Sequence, residues 1–252
     1  MDARSVALLV VAVTAGLTAF AWPLFARLPD VTSTTQAPFV FALLLPLILA
    51  VVVAELTGSA MDVKGLALLG VLSAIGAILR PLGAGTAGME PIFFLMVVGG
   101  RAFGPGFGFA QGAVTLLASA LLTGGVGPWL PYQMIAAGLL GLGAGLLPGR
   151  PHGRAEIALL AGYGLVSAFA YGWLMDFAFW PFAVGPATQL SFDPQVGPLA
   201  NLQRFVLYNL VTSMGWNLGR GLTSAVLIAL LGPELLRILR RAARRAAWTP
   251  TP

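Results

Sequence analysis

Long apolar runs are the main pattern along the chain. A helix that crosses a bilayer needs about 20 mostly apolar residues. Eight runs reach or approach that length, namely Ser5–Phe25, Pro38–Leu56, Gly65–Leu79, Pro91–Phe103, Gly106–Leu122, Tyr132–Leu147, Ile157–Phe182 and Phe205–Leu231. The pattern therefore predicts an all-α integral membrane protein with eight membrane helices.

Two of these runs leave alternatives open. Pro91–Phe103 is short, and only Gly104-Pro105-Gly106 separates it from the next run, so the pair is either two spans or one broken, re-entrant unit. The first run has the charged start and the length of a signal peptide. Its apolar stretch is long for one, and Trp22-Pro23 is typical of an interfacial anchor, which favours a retained helix.

Composition indicates that lipid surrounds most of the chain. Of its 252 residues, 58% are hydrophobic and 9% are charged, whereas soluble domains carry about 25% charged residues. The 32 glycines and 18 prolines lie within apolar runs, where membrane helices tolerate both. Glycines four residues apart predict close helix packing, at Gly104, Gly108 and Gly112 and again at Gly141 and Gly145.

The distribution of basic residues predicts the orientation. With both termini in the cytoplasm, ten basic residues lie inside and three outside, a clear positive-inside bias. Arg220 falls within the last span. The basic tail Arg237–Arg245 is interpreted as a topology anchor against anionic lipid, with a protein-docking role as the alternative. The basic residues lie at membrane edges rather than on a folded domain, so nucleic-acid binding is not expected.

This orientation places four loops outside: Ala26–Ala37, Pro81–Glu90, Thr123–Pro131 and Ala183–Arg204. Arg80 and Glu90 flank one of them and either pair with each other or face a substrate. Trp129, Tyr132 and Gln133 lie close together in a segment rich in glycine and proline. They form either an aromatic belt at the membrane interface or part of a ligand site. We therefore expect any ligand at the outer side.

Polar residues within the spans are the remaining candidates, because each needs a partner or a function there. Asn209, Trp216 and Asn217 share one helical face, and they bind either a polar ligand or neighbouring helices. For Asp176 we favour pairing with Arg220 or Arg101 over proton relay. Gln111 is a weaker candidate of the same kind.

Several reaction classes lack the residues they need. The chain has no cysteine, one histidine (His152) and one lysine (Lys64) that follows no glycine-rich loop. Thiolate sites, histidine-clustered metal sites and a P-loop are therefore excluded. No cofactor and no catalytic residue is expected.

Several motifs carry a family resemblance. They are Leu79-Arg80-Pro81, Met89-Glu90-Pro91, Gly99-Gly100-Arg101-Ala102-Phe103-Gly104-Pro105-Gly106-Phe107-Gly108, Gly127-Pro128-Trp129-Leu130-Pro131-Tyr132-Gln133-Met134 and Trp216-Asn217-Leu218-Gly219-Arg220. From Lys64 to its end, the chain resembles the substrate-specific (S) component of an energy-coupling factor (ECF) vitamin transporter. Within that family it resembles the subgroup assigned to cobalamin.

The resemblance implies a division of the chain and a set of partners. Residues 61–252 would form a six-helix core with a basic tail, preceded by a two-helix membrane extension at residues 1–60. Such a subunit sits in the bacterial cytoplasmic membrane with both termini inside. It binds its vitamin at the outer face and docks onto a membrane scaffold that carries two ATPase subunits. Transport involves toppling of the loaded subunit in the membrane.

The resemblance also implies residue roles. The outer loops would close over cobalamin as the transported substrate, and the site would be lined by Arg80, Glu90, Trp129, Tyr132, Gln133, Asn209, Trp216 and Asn217. An alanine-x-x-x-alanine face on the first core helix packs on the scaffold. Its counterpart here is Gly70 with Ala74, or Ser73 with Ala77.

Other functions stay open at this stage. A queuosine precursor, riboflavin or another vitamin would suit the same residues. A self-sufficient secondary transporter would show inverted repeats and ion ligands near the membrane midplane. A membrane enzyme would show a cluster of titratable groups facing one cavity. Neither pattern is visible in the sequence. A purely structural scaffold would not require the aromatic and amide residues near the outer face.

Overall fold

Helices and loops make up the described part of the chain. The computed structural model describes residues 3–25, 45–50, 52–53, 63–83, 86–183 and 188–246. Its helices are α1 (Ala3–Phe20), α2 (Val63–Leu79), α3 (Phe93–Phe103), α4 (Pro105–Thr123), α5 (Leu130–Leu146), α6 (Arg154–Ala183), α7 (Pro198–Tyr208) and α8 (Met214–Ala246). Shorter helical turns lie at Trp22–Phe25, Arg80–Gly83 (3-10) and Asn209–Ser213 (π), and residues 45–50 and 52–53 are also helical.

The protein is a multi-pass membrane protein whose described regular structure is all helical. Among the described residues, four helical stretches are long and apolar enough to cross a bilayer: Val63–Gly83, Pro105–Thr123, Arg154–Phe182 and Pro198–Arg244. The apolar helices Val6–Phe20, Phe93–Phe103 and Leu130–Leu146 are shorter. The number of eight spans therefore stays a prediction. Much of the second predicted span, Pro38–Leu56, and the whole predicted outer loop Ala26–Ala37 lie outside the described residues.

The fourth and fifth predicted runs form two helices that fold back on each other. The amide of Gln111 in α4 donates to the Leu95 carbonyl of α3 at 3.1 Å, a contact that one continuous helix would not allow. Gly104 joins them with φ 99°, a conformation that favours glycine. With 11 residues, α3 is about 16 Å long, well short of the hydrocarbon core of about 30 Å.

Glycines let α4 and α5 cross closely. A β-carbon on Gly108 would collide with the carbonyl of Gly141, and one on Gly112 with the carbonyl of Ala137. One on Gly145 would meet the backbone at Pro105. The packing role predicted for the glycines spaced by four is thus confirmed at Gly108, Gly112, Gly141 and Gly145, because only glycine lets these backbones approach so closely. It is not confirmed at Gly104, where nothing lies within 4 Å of a β-carbon.

Helix α3 lies at the centre of the bundle. Its residues Phe93–Gly100 are all buried, and it packs against α4, α5 and α8. Around it, α2 packs on α4, and α6 packs along α8. Large apolar side chains on α2, α6 and α8 face outward, including Ile78, Val166 and Leu222. An apolar outer surface of this kind suits lipid rather than water.

Helix α1 packs against one side of this core, on α5 and α6. A β-carbon on Gly16 would collide with Ile135, and the Phe20 ring meets Tyr132 edge-on at 5.1 Å. The Trp22 indole donates to the Ala178 carbonyl at 2.9 Å. The predicted boundary between residues 60 and 61 lies outside the described residues.

An ion-pair cluster joins three helices at the predicted cytoplasmic end. Glu156 at the start of α6 is buried and accepts from Arg101 of α3 at 2.7 Å and from Arg240 of α8 at 2.6 Å. Arg101 also donates to the Leu147 carbonyl. The expectation that Arg101 pairs with Asp176 is therefore wrong, since Glu156 lies beside Arg101 at this end of the bundle.

Candidate functional site

A cavity opens at the end of the bundle opposite that ion-pair cluster. Following the predicted orientation, we call this end outer and the cavity the outer cavity. The ends of α2 and α4, the starts of α5 and α8 and the loop before α3 meet there. The cavity measures about 360 Å³ and is lined by Arg80, Pro81, Gly83, Glu90, Ser119, Thr123, Gly125, Trp129 and Trp216.

Arg80 lies on one wall of the outer cavity, in the 3-10 turn that ends α2. Its guanidinium donates to the side-chain carbonyl of Gln133 at 3.2 Å and makes a long contact of 3.5 Å with the Ser119 hydroxyl. Both partners are neutral. Among the described residues, no carboxylate lies within ion-pair distance of Arg80.

Glu90 pairs with Arg220 instead of Arg80. Its carboxylate accepts from two guanidinium nitrogens of Arg220, at 2.8 and 3.2 Å. The Arg220 guanidinium also lies 5.8 Å from the Phe93 ring centroid and 5.4 Å from that of Tyr171, within the range of cation–π attraction. The possible Arg80–Glu90 pair is thus wrong. Arg220, on the long last helix, reaches the loop before α3 and holds Glu90 there.

Buried amides continue this network away from the cavity. Arg220 donates to the Asn217 carbonyl at 2.9 Å, Asn217 to Asn209 at 3.4 Å, and Asn209 to the Asp176 carboxylate at 2.6 Å. Both asparagines are buried. The expected direct pairing of Asp176 with Arg220 is therefore wrong, because two amides separate them.

A π-helical turn contributes to this arrangement. Asn209 is the first residue of the turn Asn209–Ser213, which interrupts the last helix between α7 and α8. Such turns are often found at functional sites. Their wider backbone changes the angular spacing of side chains, and here Asn209 and Asn217 still reach each other. The two asparagines face the protein interior rather than the outer cavity.

Two tryptophans border the outer cavity, and each is about half exposed. Trp129 is 44% exposed and Trp216 is 45% exposed. The Trp129 ring packs over Gly127, where a β-carbon would collide with it, and its indole donates to the Gly125 carbonyl at 3.1 Å. Gly88, with φ 77°, lets the loop before α3 approach the Trp216 backbone. Glycines thus position the Trp129 ring and the Trp216 backbone.

Tyr132 and Gln133 are adjacent in sequence but lie in different surroundings. Gln133 contacts Arg80 and so supports the cavity wall. Tyr132 is buried away from the cavity, between the rings of Phe20 at 5.1 Å and Phe179 at 5.3 Å. A helix turns about 100° per residue, so neighbouring side chains point to different sides.

The candidate docking residues on α2 also separate. Ser73 and Ala77 are buried within the chain, with 1% and 0% exposure. Gly70 and Ala74 are exposed, and no atom would contact a β-carbon on Gly70. Of the two expected pairs, only Gly70 with Ala74 is accessible to another subunit.

Some cavity residues were not anticipated from the sequence. Ser119 and Thr123 line the cavity and lie four residues apart on one face of α4. Thr123 donates to the Ser119 carbonyl at 2.8 Å. Their spacing just before the predicted outer loop is a signal that was available. Gln111 is buried and bonds to the backbone of α3, which indicates a packing role.

Larger cavities open elsewhere but combine fewer features of a ligand site. One of about 620 Å³, at the predicted cytoplasmic end, includes Glu156 and Arg240, which already pair with each other. Another, of about 700 Å³ beside Trp173 and Phe205, is almost wholly apolar and lies on the side of the bundle. The outer cavity combines aromatic faces, hydroxyls and charge, as ligand sites commonly do.

Comparison with known proteins gives one result for the family. A family model described as "ECF transporter, substrate-specific component" matches residues 64–232, about two thirds of the chain. The match includes α2 to α7 and most of α8, and so all residues of the outer cavity. No curated protein and no solved structure matches the chain.

Proposed function

We infer the function of this chain from its family: it belongs to the substrate-specific components of ECF transporters. Members of this family are substrate-binding transporter subunits, not enzymes. We propose that the chain captures a vitamin in the outer cavity and that partner subunits drive its uptake with ATP. Both termini are proposed to lie in the cytoplasm of a bacterium, as the distribution of basic residues predicts.

The outer cavity is the observation that carries this proposal. It lies at the end of the core from which an imported nutrient would arrive. At about 360 Å³ it falls within the usual range for small-molecule sites, about 300–1,000 Å³. Trp129 and Trp216 supply flat apolar surfaces, and Arg80, Ser119 and Thr123 supply polar groups. Few polar groups beside aromatic walls are typical of sites for small organic ligands.

The proposed contacts differ among the predicted site residues. Arg80, Trp129 and Trp216 are proposed to touch the substrate, and Gln133 to hold Arg80 in place. Asn209 and Asn217 are proposed to act through Arg220 and Glu90. Tyr132 is proposed to pack α1 against the core, because its ring lies between Phe20 and Phe179.

The exposed face of α2 supports the proposed docking onto a scaffold subunit. Gly70 and Ala74 leave a shallow surface between the larger exposed side chains of Leu66 and Ile78. Small residues let a second helix approach closely in lipid. Helix α1 packs on α5 and α6, so among the described residues it does not occupy this face. Two ATPase subunits would complete the importer.

Cobalamin is the vitamin that the sequence resemblance leads us to propose for this chain. Cobalamin is the substrate of the subgroup that the sequence resembles, while riboflavin and a queuosine precursor are the alternatives. A corrinoid is much larger than either of these compounds. The loop before α3 and the loop at Gly124–Trp129 would have to move apart to admit it to a cavity of about 360 Å³.

Direct binding by the purified protein tests this function. We expect one vitamin to bind stoichiometrically without ATP, and cobalamin, riboflavin and a queuosine precursor are the first to be titrated. Trp129→Ala should weaken that binding about tenfold or more, since an aromatic contact is worth about 1 kcal/mol beyond its buried area. Trp22→Phe, which changes a tryptophan in the helical turn Trp22–Phe25 and outside the cavity, is the control. A folded preparation that binds none of these compounds and no acidic vitamin such as nicotinate or biotin would contradict the proposal.

A further inference from the structure

The charges around the outer cavity are unbalanced. Glu90 is neutralised by Arg220, whose guanidinium contacts it at 2.8 Å. Among the described residues, the hydrogen-bond partners of Arg80 are the neutral side chains of Gln133 and Ser119. The formal charge of these three ionised groups is therefore +1, and Arg80 carries the excess.

Other carboxylates in the described part of the chain do not offset Arg80. Asp176 lies beyond Asn209 and Asn217, outside the cavity lining. Asp193 pairs with Arg204 at 3.6 Å. Glu156 and Glu234 pair with arginines at the opposite end. A guanidinium near a helix end at the membrane edge can stay hydrated without a carboxylate, so Arg80 is available to an anionic ligand.

From this geometry we propose that the transported compound is a small, flat organic acid whose carboxylate pairs with Arg80 while its ring packs against Trp129 or Trp216. The inference rests on the proposed function and narrows its substrate class. Arginine presents its donors in a planar fork that matches a carboxylate. The Ser119 and Thr123 hydroxyls line the same cavity and offer further hydrogen bonds.

The hydrogen bonds of Arg80 and Glu90 leave Arg80 able to pair with the carboxylate of a ligand. Gln133 binds Arg80 through its side-chain carbonyl, which fixes the guanidinium without cancelling its charge. Glu90 is prevented from swinging to Arg80 by two hydrogen bonds to Arg220 and therefore does not compete with the ligand. A cation that no carboxylate of the described residues pairs with, beside half-exposed indole rings, selects for negative charge on a flat molecule.

Matched pairs of compounds test the charge requirement. Nicotinate and nicotinamide, and biotin and its primary amide, differ mainly in the ionised carboxylate. Neutral riboflavin and cobalamin complete the panel. We expect an acid to bind and its amide to bind at least tenfold more weakly, as followed by calorimetry and by tryptophan fluorescence of the detergent-solubilised protein.

Variants assign the effect to Arg80. Arg80→Gln should weaken binding of the acid roughly 10- to 100-fold and leave the weak binding of its amide nearly unchanged. Arg80→Lys should restore part of the loss because it keeps the charge. Arg204→Gln, which removes an arginine outside the cavity, is the control for surface charge. Thermal unfolding and gel filtration establish that each variant is folded.

The outcomes separate this inference from the proposed function. Tight binding of riboflavin or cobalamin, or equal binding of acid and amide, would overturn the inference and leave the binding function intact. Unchanged acid binding by Arg80→Gln would overturn it as well. If the folded protein binds nothing on either panel, vitamin capture itself fails and this inference with it.

Discussion

Arg220 joins the outer loop, the buried amides and the aromatic core through a single side chain. It pairs with Glu90, donates to Asn217 and lies near the rings of Phe93 and Tyr171. Its side chain is 12% exposed, so these contacts replace most of its hydration. Residues of this kind fix the position of a loop more firmly than surface ion pairs do.

Removing Arg220 should therefore destabilise the fold. Arg220→Gln leaves the Glu90 carboxylate without its charged partner, and we expect a loss of about 2 kcal/mol in the free energy of unfolding. The control, Arg204→Gln, breaks a pair at 3.6 Å whose side chains are about one third exposed, and should cost less than about 1 kcal/mol. Thermal or denaturant unfolding measures both. Equal effects would mean that the Glu90 pair has no special role.

Helix packing depends on glycines that face a neighbouring backbone. Between α4 and α5, Gly108 lies against Gly141 and Gly112 against Ala137. This crossing positions Thr123, the last residue of α4, and Trp129, which directly precedes α5, along the cavity. The sequence predicted packing faces at these glycines, and the structure adds which helices they join.

A single methyl group should disturb this crossing. Gly108→Ala forces α4 and α5 apart, because the obstacle is the Gly141 backbone rather than a flexible side chain, and we expect a loss of about 1–3 kcal/mol. Gly162→Ala on α6 is the matched control, since nothing lies within 4 Å of a β-carbon there. Unfolding in the same detergent compares the two. A stable Gly108→Ala variant would show that this crossing can relax.

For the whole molecule, orientation in the membrane is the property on which the proposed function depends. The outer cavity and the Arg101–Glu156–Arg240 cluster lie at opposite ends of the bundle. Basic residues are concentrated toward the end with that cluster, which predicts that it faces the cytoplasm. A binding subunit for uptake requires its cavity on the other side.

Cysteine labelling tests this orientation directly, because the natural chain has no cysteine to remove. Gln195→Cys and His152→Cys place single thiols at exposed positions toward the outer and the cytoplasmic end, respectively. In intact cells we expect a membrane-impermeant maleimide to label Gln195→Cys alone. His152→Cys should react only after permeabilisation. The reverse pattern would invert the topology and exclude the outer cavity as an entry site.

The sequence by itself determined the membrane class, the family and the approximate positions of the helices in the described residues. These properties follow from local composition, since an apolar run long enough to cross lipid must be helical to satisfy its backbone. Motifs such as Gly127–Met134 and Trp216–Arg220 carried the family resemblance, and the family match at residues 64–232 agrees with it. The cobalamin assignment stays a prediction.

Only the tertiary structure decided which polar residues meet. Glu90 pairs with Arg220, 130 residues away, and not with Arg80, ten residues away, because α8 packs beside α3. Likewise Tyr132 faces α1 while Gln133 faces Arg80, and Ala74 is exposed while Ala77 is buried. Such choices depend on helix rotation and on which helices are neighbours, and both arise from packing of the whole bundle rather than from the local sequence.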